Sequence, residues 1–223
     1  MRTEQYDFNG HQATVLIPEN PNGKWIWKTE FFYAFDAAER ALFDKGYTRV
    51  YYHISNKYGD YESVRLMHAF QKDLVKRFSL TEKGILFGFS RGGLYAFNYA
   101  LFYPECVEKI YLDAPVMNLH SWPPKNIREY PEMLKCYSQT EESFIDFKHS
   151  PIDELPEFIK NGIPVLLVAG DADIEVPMKD NCRYLIDFCK ENNVPLEYYI
   201  KPGCAHHPHS LEDVTPIVNF VER

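Results

Sequence analysis

Apolar runs and helical repeats alternate along the 223 residues. Residues 11–17 (His-Gln-Ala-Thr-Val-Leu-Ile) read as a strand stopped by Pro18 and followed by turn material to Gly23. A short aromatic strand is expected at 24–28. Asp36 followed by Glu39 reads as an aspartate variant of the capping box, and Ala38, Ala41 and Leu42 then share one helical face up to Gly46. Residues 48–54 read as the next strand. The clearest helix is predicted over 61–78, where Met67, Phe70, Leu74 and Phe78 recur at steps of three and four. Strands are predicted at 85–89, 107–112, 163–169 and 196–200. Helices are predicted from the 90s to Tyr103, along Met178–Cys182–Leu185–Ile186–Cys189, and from near Leu211. Residues 1–5 lead into polar and strand-like sequence.

This order is βαβ, with near-continuous apolar strands buried on both faces. It predicts a mostly parallel sheet flanked by helices in one domain over 1–223. Residues 116–160 lack a clean period and hold five of the 15 prolines, so they read as an irregular insertion. In open parallel sheets chemistry lies beyond the carboxyl ends of the strands.

At one such end stands Gly88-Phe89-Ser90-Arg91-Gly92-Gly93, a G-x-S-x-G between a predicted strand and a predicted helix. A nucleophile on a tight strand-to-helix turn needs small neighbours, and the following helix points its positive end at developing negative charge. The alternative reading is a glycine-rich turn with a capping serine. A serine needs a base, and the base needs a carboxylate. After the most apolar strand comes Gly170-Asp171-Ala172-Asp173. Asp173 is the expected acid, and Asp171, nearer the strand end, is expected to shape the turn.

After the last strand comes Pro202-Gly203-Cys204-Ala205-His206-His207-Pro208-His209. The small residues before His206 are expected to let the loop pass beneath the serine, making His206 the base. His207 should face the other way along an extended chain, and His209 and Ser210 should cap the last helix. The order Ser90, Asp173, His206 is the one this topology uses. The three histidines also raise a metal site, but neither H-E-x-x-H nor C-x-x-C supplies partners at ligand spacing, so no metal is expected.

Lys plus Arg is 24 and Asp plus Glu 32, a net charge of −8 with no basic run, which argues against nucleic acid and anionic membrane as partners. The apolar content of 45% excludes a disordered chain. Cys106, Cys136, Cys182, Cys189 and Cys204 are odd in number and scattered, which reads as reduced core thiols. No apolar signal core follows Met1, so the expected location is cytoplasmic, with a leader upstream of this numbering as the alternative.

The stretches G-F-S-R-G-G-L-Y-A, G-D-A-D-x-x-V-P and P-G-x-x-H-H-P-H-S-L resemble the α/β-hydrolase superfamily, and within it a subgroup of small bacterial serine hydrolases that often accompany carbohydrate-degrading or sugar-ester enzymes. The resemblance runs from the strand at 11–17 to the last helix. It implies an α/β-hydrolase fold with a small cap in the insertion. It also implies Ser90 as nucleophile, His206 as base and Asp173 as acid. The Arg91 backbone N–H would be one oxyanion donor, and Lys28 or Thr29 the second. The chain departs from many esterases here, with Trp25-Ile26-Trp27-Lys28-Thr29-Glu30 in place of H-G-G-G. Trp122, Tyr130 and Tyr137 could line a pocket or hold the insertion together, and Trp122 is the expected substrate contact.

The expected function is a carboxylesterase acting on a small-molecule ester, without a cofactor. The triad does not distinguish leaving groups, so a small peptidase or amidase is the alternative. A non-catalytic binding protein on the same fold is the alternative from another class.

Overall fold

A computed structural model describes residues 1–223. Eight strands form one sheet: β1 (Arg2–Phe8), β2 (His11–Ile17), β3 (Trp25–Lys28), β4 (Thr48–Tyr52), β5 (Gly84–Phe89), β6 (Val107–Asp113), β7 (Val165–Gly170) and β8 (Glu197–Lys201). Their order is β1-β2-β4-β3-β5-β6-β7-β8. β1, β2 and β4 pair antiparallel, and every pairing from β4–β3 to β7–β8 is parallel. The mostly parallel sheet of the α/β-hydrolase fold is therefore present, with an antiparallel edge.

The strands alternate their side chains between two cores, as the two-residue period requires. Trp25, Trp27, Leu86, Leu167 and Ala169 meet α2 (Tyr61–Phe78), α3 (Gly92–Phe102) and α7 (Cys182–Glu191) on one face. Ile26, Phe87, Phe89, Leu166 and Val168 meet α1 (Ala37–Asp44) and α8 (Thr215–Glu222) on the other. Trp27 packs edge-on against Phe70 and Tyr99 at ring-centroid distances of 5.3 and 5.7 Å. Removing a buried ring of this size typically costs about 3–5 kcal/mol.

Local readings fail where charge or a second strand intervenes. Asp36 does not cap α1. Its carboxylate instead takes Arg49 at 2.9 Å and Arg40 at 3.2 Å, because charge-assisted bonds outcompete a helix amide. Glu39 does not complete a capping box either; it is buried against Lys28 at 2.6 Å. The last helix begins at Thr215, later than the hydrophobic pattern near Leu211 predicts. The helix expected from Met178 opens with a single 3-10 turn, Met178–Asp180, before α7. The segment between β6 and β7 carries three short helices, α4 (Glu129–Cys136), α5 (Glu141–Phe144) and α6 (Leu155–Lys160). Leu119, Tyr130, Met133 and Phe144 from this segment form their own cluster with Tyr58, Leu94 and Val176. All five cysteines are free thiols; Cys182 and Cys189 are buried, whereas Cys106, Cys136 and Cys204 are only half-buried and are not core residues. No helix is long and apolar enough to cross a membrane.

Candidate active site

The parallel strands deliver their carboxyl ends to one edge, and the chemistry-bearing residues gather there. Ser90 follows β5 with a φ of +49°, a left-handed conformation that a side-chain-bearing residue adopts only when its surroundings impose it. They do so by crowding. A Cβ on Gly88 would stand 2.8 Å from the Ala96 Cβ, and one on Gly93 would stand 2.5 Å from the Pro115 Cβ. The turn is also pinned by the Ser90 N–H donating to Asp113 O and the Val116 N–H donating to Ser90 O, both at 2.9 Å.

Ser90 Oγ lies 3.0 Å from His206 Nε2, and His206 Nδ1 lies 2.7 Å from Asp173 Oδ2. The other Asp173 oxygen accepts the Glu175 and Val176 N–H groups, each at 2.9 Å. Burial pushes the Asp173 carboxyl up, but the hydrogen bonds from His206 and Val176, the His206 charge and the Glu175 amide outweigh it, and it stays below the usual carboxylate range. An ionised Asp173 accepts the Nδ1 proton, which leaves Nε2 as acceptor for the Ser90 hydroxyl. All three residues are buried.

Asp171 accepts the Gly203 N–H at 2.6 Å and so closes the turn between β7 and the histidine loop. The tight passage expected at Gly203 falls elsewhere. Gly203 serves its own φ of +66°, with nothing near its missing Cβ, whereas a Cβ on Gly170 would stand 2.2 Å from Cys204 O. His207 is not turned fully away. It is exposed, yet its ring centroid lies 4.9 Å from that of His206, and it stacks on Phe35 at 5.5 Å.

His209 and Ser210 do not cap a helix. His209 is buried with Nδ1 2.8 Å from Asp113 Oδ1, while Asp113 Oδ2 accepts the Tyr111 hydroxyl at 2.5 Å and the Ser210 N–H at 2.7 Å. Loop residues 211–214 then intervene before α8.

The oxyanion donors also need correction. The Arg91 N–H has no partner within the molecule, but the Thr29 N–H donates to Phe87 O at 3.1 Å and is not free. Lys28 is still inside β3, and its contribution comes through its side chain. That ammonium is buried, donates to Ala34 O at 2.5 Å, pairs with Glu39 and lies 3.9 Å from the centre of the Phe89 ring. Arg49 donates to Phe32 O at 3.3 Å, so two cations hold the loop 29–36 from beneath. The first residue of that loop with an unpartnered N–H is Glu30, which lies 3.4 Å from where a Gly92 Cβ would stand.

Glu30 was not legible as a site residue. Its side chain is buried, accepts the Ser55 hydroxyl at 3.1 Å and faces Arg91 at 3.5 Å. Burial pushes its carboxyl up against the opposing pull of Arg91 and Ser55. Phe31, Tyr33 and Phe35 from the same loop are exposed, as is Ile174 beside Asp173.

Trp122 is half-buried and packs near Tyr58, at a centroid distance of 6.2 Å, against the cluster of the insertion. Tyr130 is buried in that cluster, and the Tyr137 hydroxyl donates to Tyr58 O at 2.8 Å. Both tyrosines hold the insertion together. A cavity of about 840 Å³ lies at the opposite edge of the sheet, among Pro164, Val165, Leu196 and Glu197 at the strand starts.

A serine on a tight turn after β5, a carboxylate after β7 and a histidine after β8 stand in the arrangement of a serine hydrolase of the α/β-hydrolase type. More narrowly, the prolyl oligopeptidase family matches residues 44–223, and the chain belongs to it. No curated protein matches the sequence. Among solved structures it is similar to a puromycin-hydrolyzing peptidase of Mycobacterium tuberculosis (TM-score 0.71, 16% identity, 99% of this chain and 37% of that one). It is also similar to a fluorophosphonate-binding serine hydrolase of Staphylococcus aureus (0.70, 14%, 99% and 94%). A third similar structure is that of the carboxylesterase Cest-2923 of Lactobacillus plantarum (0.68, 16%, 93% and 85%). The chain spans 37% of the mycobacterial peptidase and 34% of a Porphyromonas gingivalis dipeptidyl peptidase 4.

Proposed function

We propose that the chain is a carboxylesterase that cleaves small esters, sugar-linked esters included, through an acyl-enzyme on Ser90. The observation that carries this is the continuous hydrogen-bonded chain from Ser90 Oγ through His206 to Asp173, set beside two unpartnered amides, Arg91 and Glu30. His206 takes the Ser90 proton as Oγ attacks the ester carbonyl. The tetrahedral oxyanion is held by the Arg91 and Glu30 N–H groups and the positive end of α3. His206 then gives the proton to the departing alcohol. Water, activated by the same imidazole, releases the acid and restores Ser90. Asp173 stays ionised and stabilises the imidazolium.

The exposed rings of Phe31, Tyr33 and Phe35 support a flat apolar or sugar moiety at the mouth. Trp122, half-buried against the insertion, is a further proposed substrate contact. Fluorophosphonate labelling with peptide mapping tests the nucleophile, and a folded protein that takes no label on Ser90 refutes it.

The family membership favours a second reading, a small peptidase. An ester and an anilide of one acyl group discriminate the two. The esterase reading expects kcat/KM at least about 10³ higher for the ester, a difference of about 4 kcal/mol in activation free energy. Equal values would establish the peptidase.

A further inference from the structure

Three imidazoles, only one of which the reaction uses, crowd the histidine loop. The ring centroids of His206, His207 and His209 lie 4.9 Å apart in each of the three pairings, with interplanar angles of 65°, 78° and 90°. One ligand nitrogen from each lies within 4.8 Å of the others. Tetrahedral zinc with Zn–N of about 2.0 Å places three imidazole centroids about 5 Å apart and their nitrogens about 3.3 Å apart. The centroids therefore match such a site, and the nitrogens need to close by an ångström or so. That motion falls to His207, the exposed member.

The surroundings match as well. Ligating histidines are usually fixed by a carboxylate on the other ring nitrogen. Two of the three have this arrangement, His206 on Asp173 at 2.7 Å and His209 on Asp113 at 2.8 Å, both buried. Each carboxylate holds the Nδ1 proton and leaves Nε2 as the lone-pair nitrogen. Two anions one shell behind the rings also balance a divalent charge. Imidazole-only donors suit zinc, copper or nickel and disfavour magnesium and calcium.

We propose that His206, His207 and His209 form a binding site for a zinc-type divalent cation, and that its occupancy inhibits the hydrolase by occupying Nε2 of His206. One bond forms, from the Nε2 lone pair to the metal, and the hydrogen bond from the Ser90 hydroxyl is lost. No electron or proton transfer is needed. Inhibition rests on His206 being the base; metal binding does not.

Zinc chloride is titrated against p-nitrophenyl acetate turnover, and cobalt(II) is titrated against Ser90→Ala protein while its visible tetrahedral band is followed. The expected result is full inhibition reversed by EDTA, none by magnesium, and one cobalt bound per chain. His207→Gln should keep basal turnover within about 3-fold and weaken zinc inhibition at least about 10-fold, as loss of one ligand requires. It should also abolish the cobalt band. Cys204→Ser should change neither readout, since its thiol is the competing soft ligand nearby. Equal zinc inhibition of His207→Gln and the parent overturns the three-histidine site, as does a cobalt band that survives His207→Gln or is lost in Cys204→Ser. If the parent shows no ester turnover at all, the carboxylesterase reading fails while the cobalt titration still decides the site.

Discussion

Two histidines of one loop rest on two buried aspartates, and only one pair faces a serine hydroxyl. His206 sits 2.7 Å from Asp173 and His209 sits 2.8 Å from Asp113. Each carboxylate places one oxygen on an imidazole and the other on hydrogen-bond donors, two backbone amides for Asp173 and an amide plus the Tyr111 hydroxyl for Asp113. The pairs differ in what else each ring meets. His206 meets the Ser90 hydroxyl at 3.0 Å, whereas the His209 ring packs against Phe35 and Phe89, each at a centroid distance of 5.3 Å. An oriented imidazole is thus a scaffold in both places and becomes a candidate base in one, because only there does the free nitrogen find a hydroxyl with unpartnered amides beside it.

Replacing Ser90 by Ala should break that distinction most completely. Turnover of p-nitrophenyl acetate should fall about 10⁴–10⁶-fold with the fold intact by circular dichroism. Retained turnover in clean protein would place the nucleophile elsewhere. His206→Gln should match it, because the serine then has no base to take its proton.

Asp173→Asn comes next, with a loss of about 10⁴ expected from the wrong imidazole tautomer. Asp171→Asn should lose far less, since Asp171 holds only the Gly203 amide. The reverse ranking would move the acid to Asp171. The sign of the stability effect also follows. The Asp173 carboxyl is held below its usual range in the folded chain, so it contributes stability above the unfolded carboxylate pKa and loses it as pH falls through the folded one. The gap in Tm between parent and Asp173→Asn should therefore close in acid.

His209→Gln should reverse the balance of effects. It leaves Asp113 buried without its imidazole, and losing a buried hydrogen bond to a charged group costs about 1.5–3 kcal/mol. The folded fraction should keep turnover within about 10-fold, since no reacting atom is lost. A larger loss with unchanged Tm would bring His209 into the machinery.

The chain was most legible where one short segment settles the matter. Ile85–Phe89 is apolar on both faces because its strand is buried on both, and the glycines around Ser90 mark the elbow through local crowding. The hairpin from β1 into β2 was missed, although the Asn9-Gly10 pair that turns it, with φ values of 51° and 79°, and the half-buried alternation of Glu4, Tyr6 and Phe8 could have shown it. The rest depended on partners far along the chain. Nothing local links His209 to Asp113, 96 residues away. The free amide of Glu30 becomes visible only once Phe87 has claimed that of Thr29. Asp36 looked like a cap because its competitor, Arg49, lies on the next strand.

The smallest expected effect contrasts these paired carboxylates with a poorly paired one. Glu30 is as buried as Asp173, but its nearest cation, Arg91, stands at 3.5 Å and its Oε1 has no partner. Burial therefore wins, and its carboxyl is pushed up where that of Asp173 is held down. A carboxyl raised on folding contributes stability below its unfolded pKa and loses it as pH rises through the folded one. Glu30→Gln removes that loss while leaving an oxygen for Ser55 and the backbone N–H for the oxyanion. Its Tm should equal the parent's in acid and exceed it at neutral pH by about 3 °C at most, the size of a 1 kcal/mol effect in a chain this long. Turnover should stay within about 3-fold, because the backbone amide, not the side chain, faces the developing charge. A Tm that falls below the parent's at neutral pH would show that the Arg91 pairing outweighs burial and that Glu30 belongs with Asp173 and Asp113 among the well-held carboxylates.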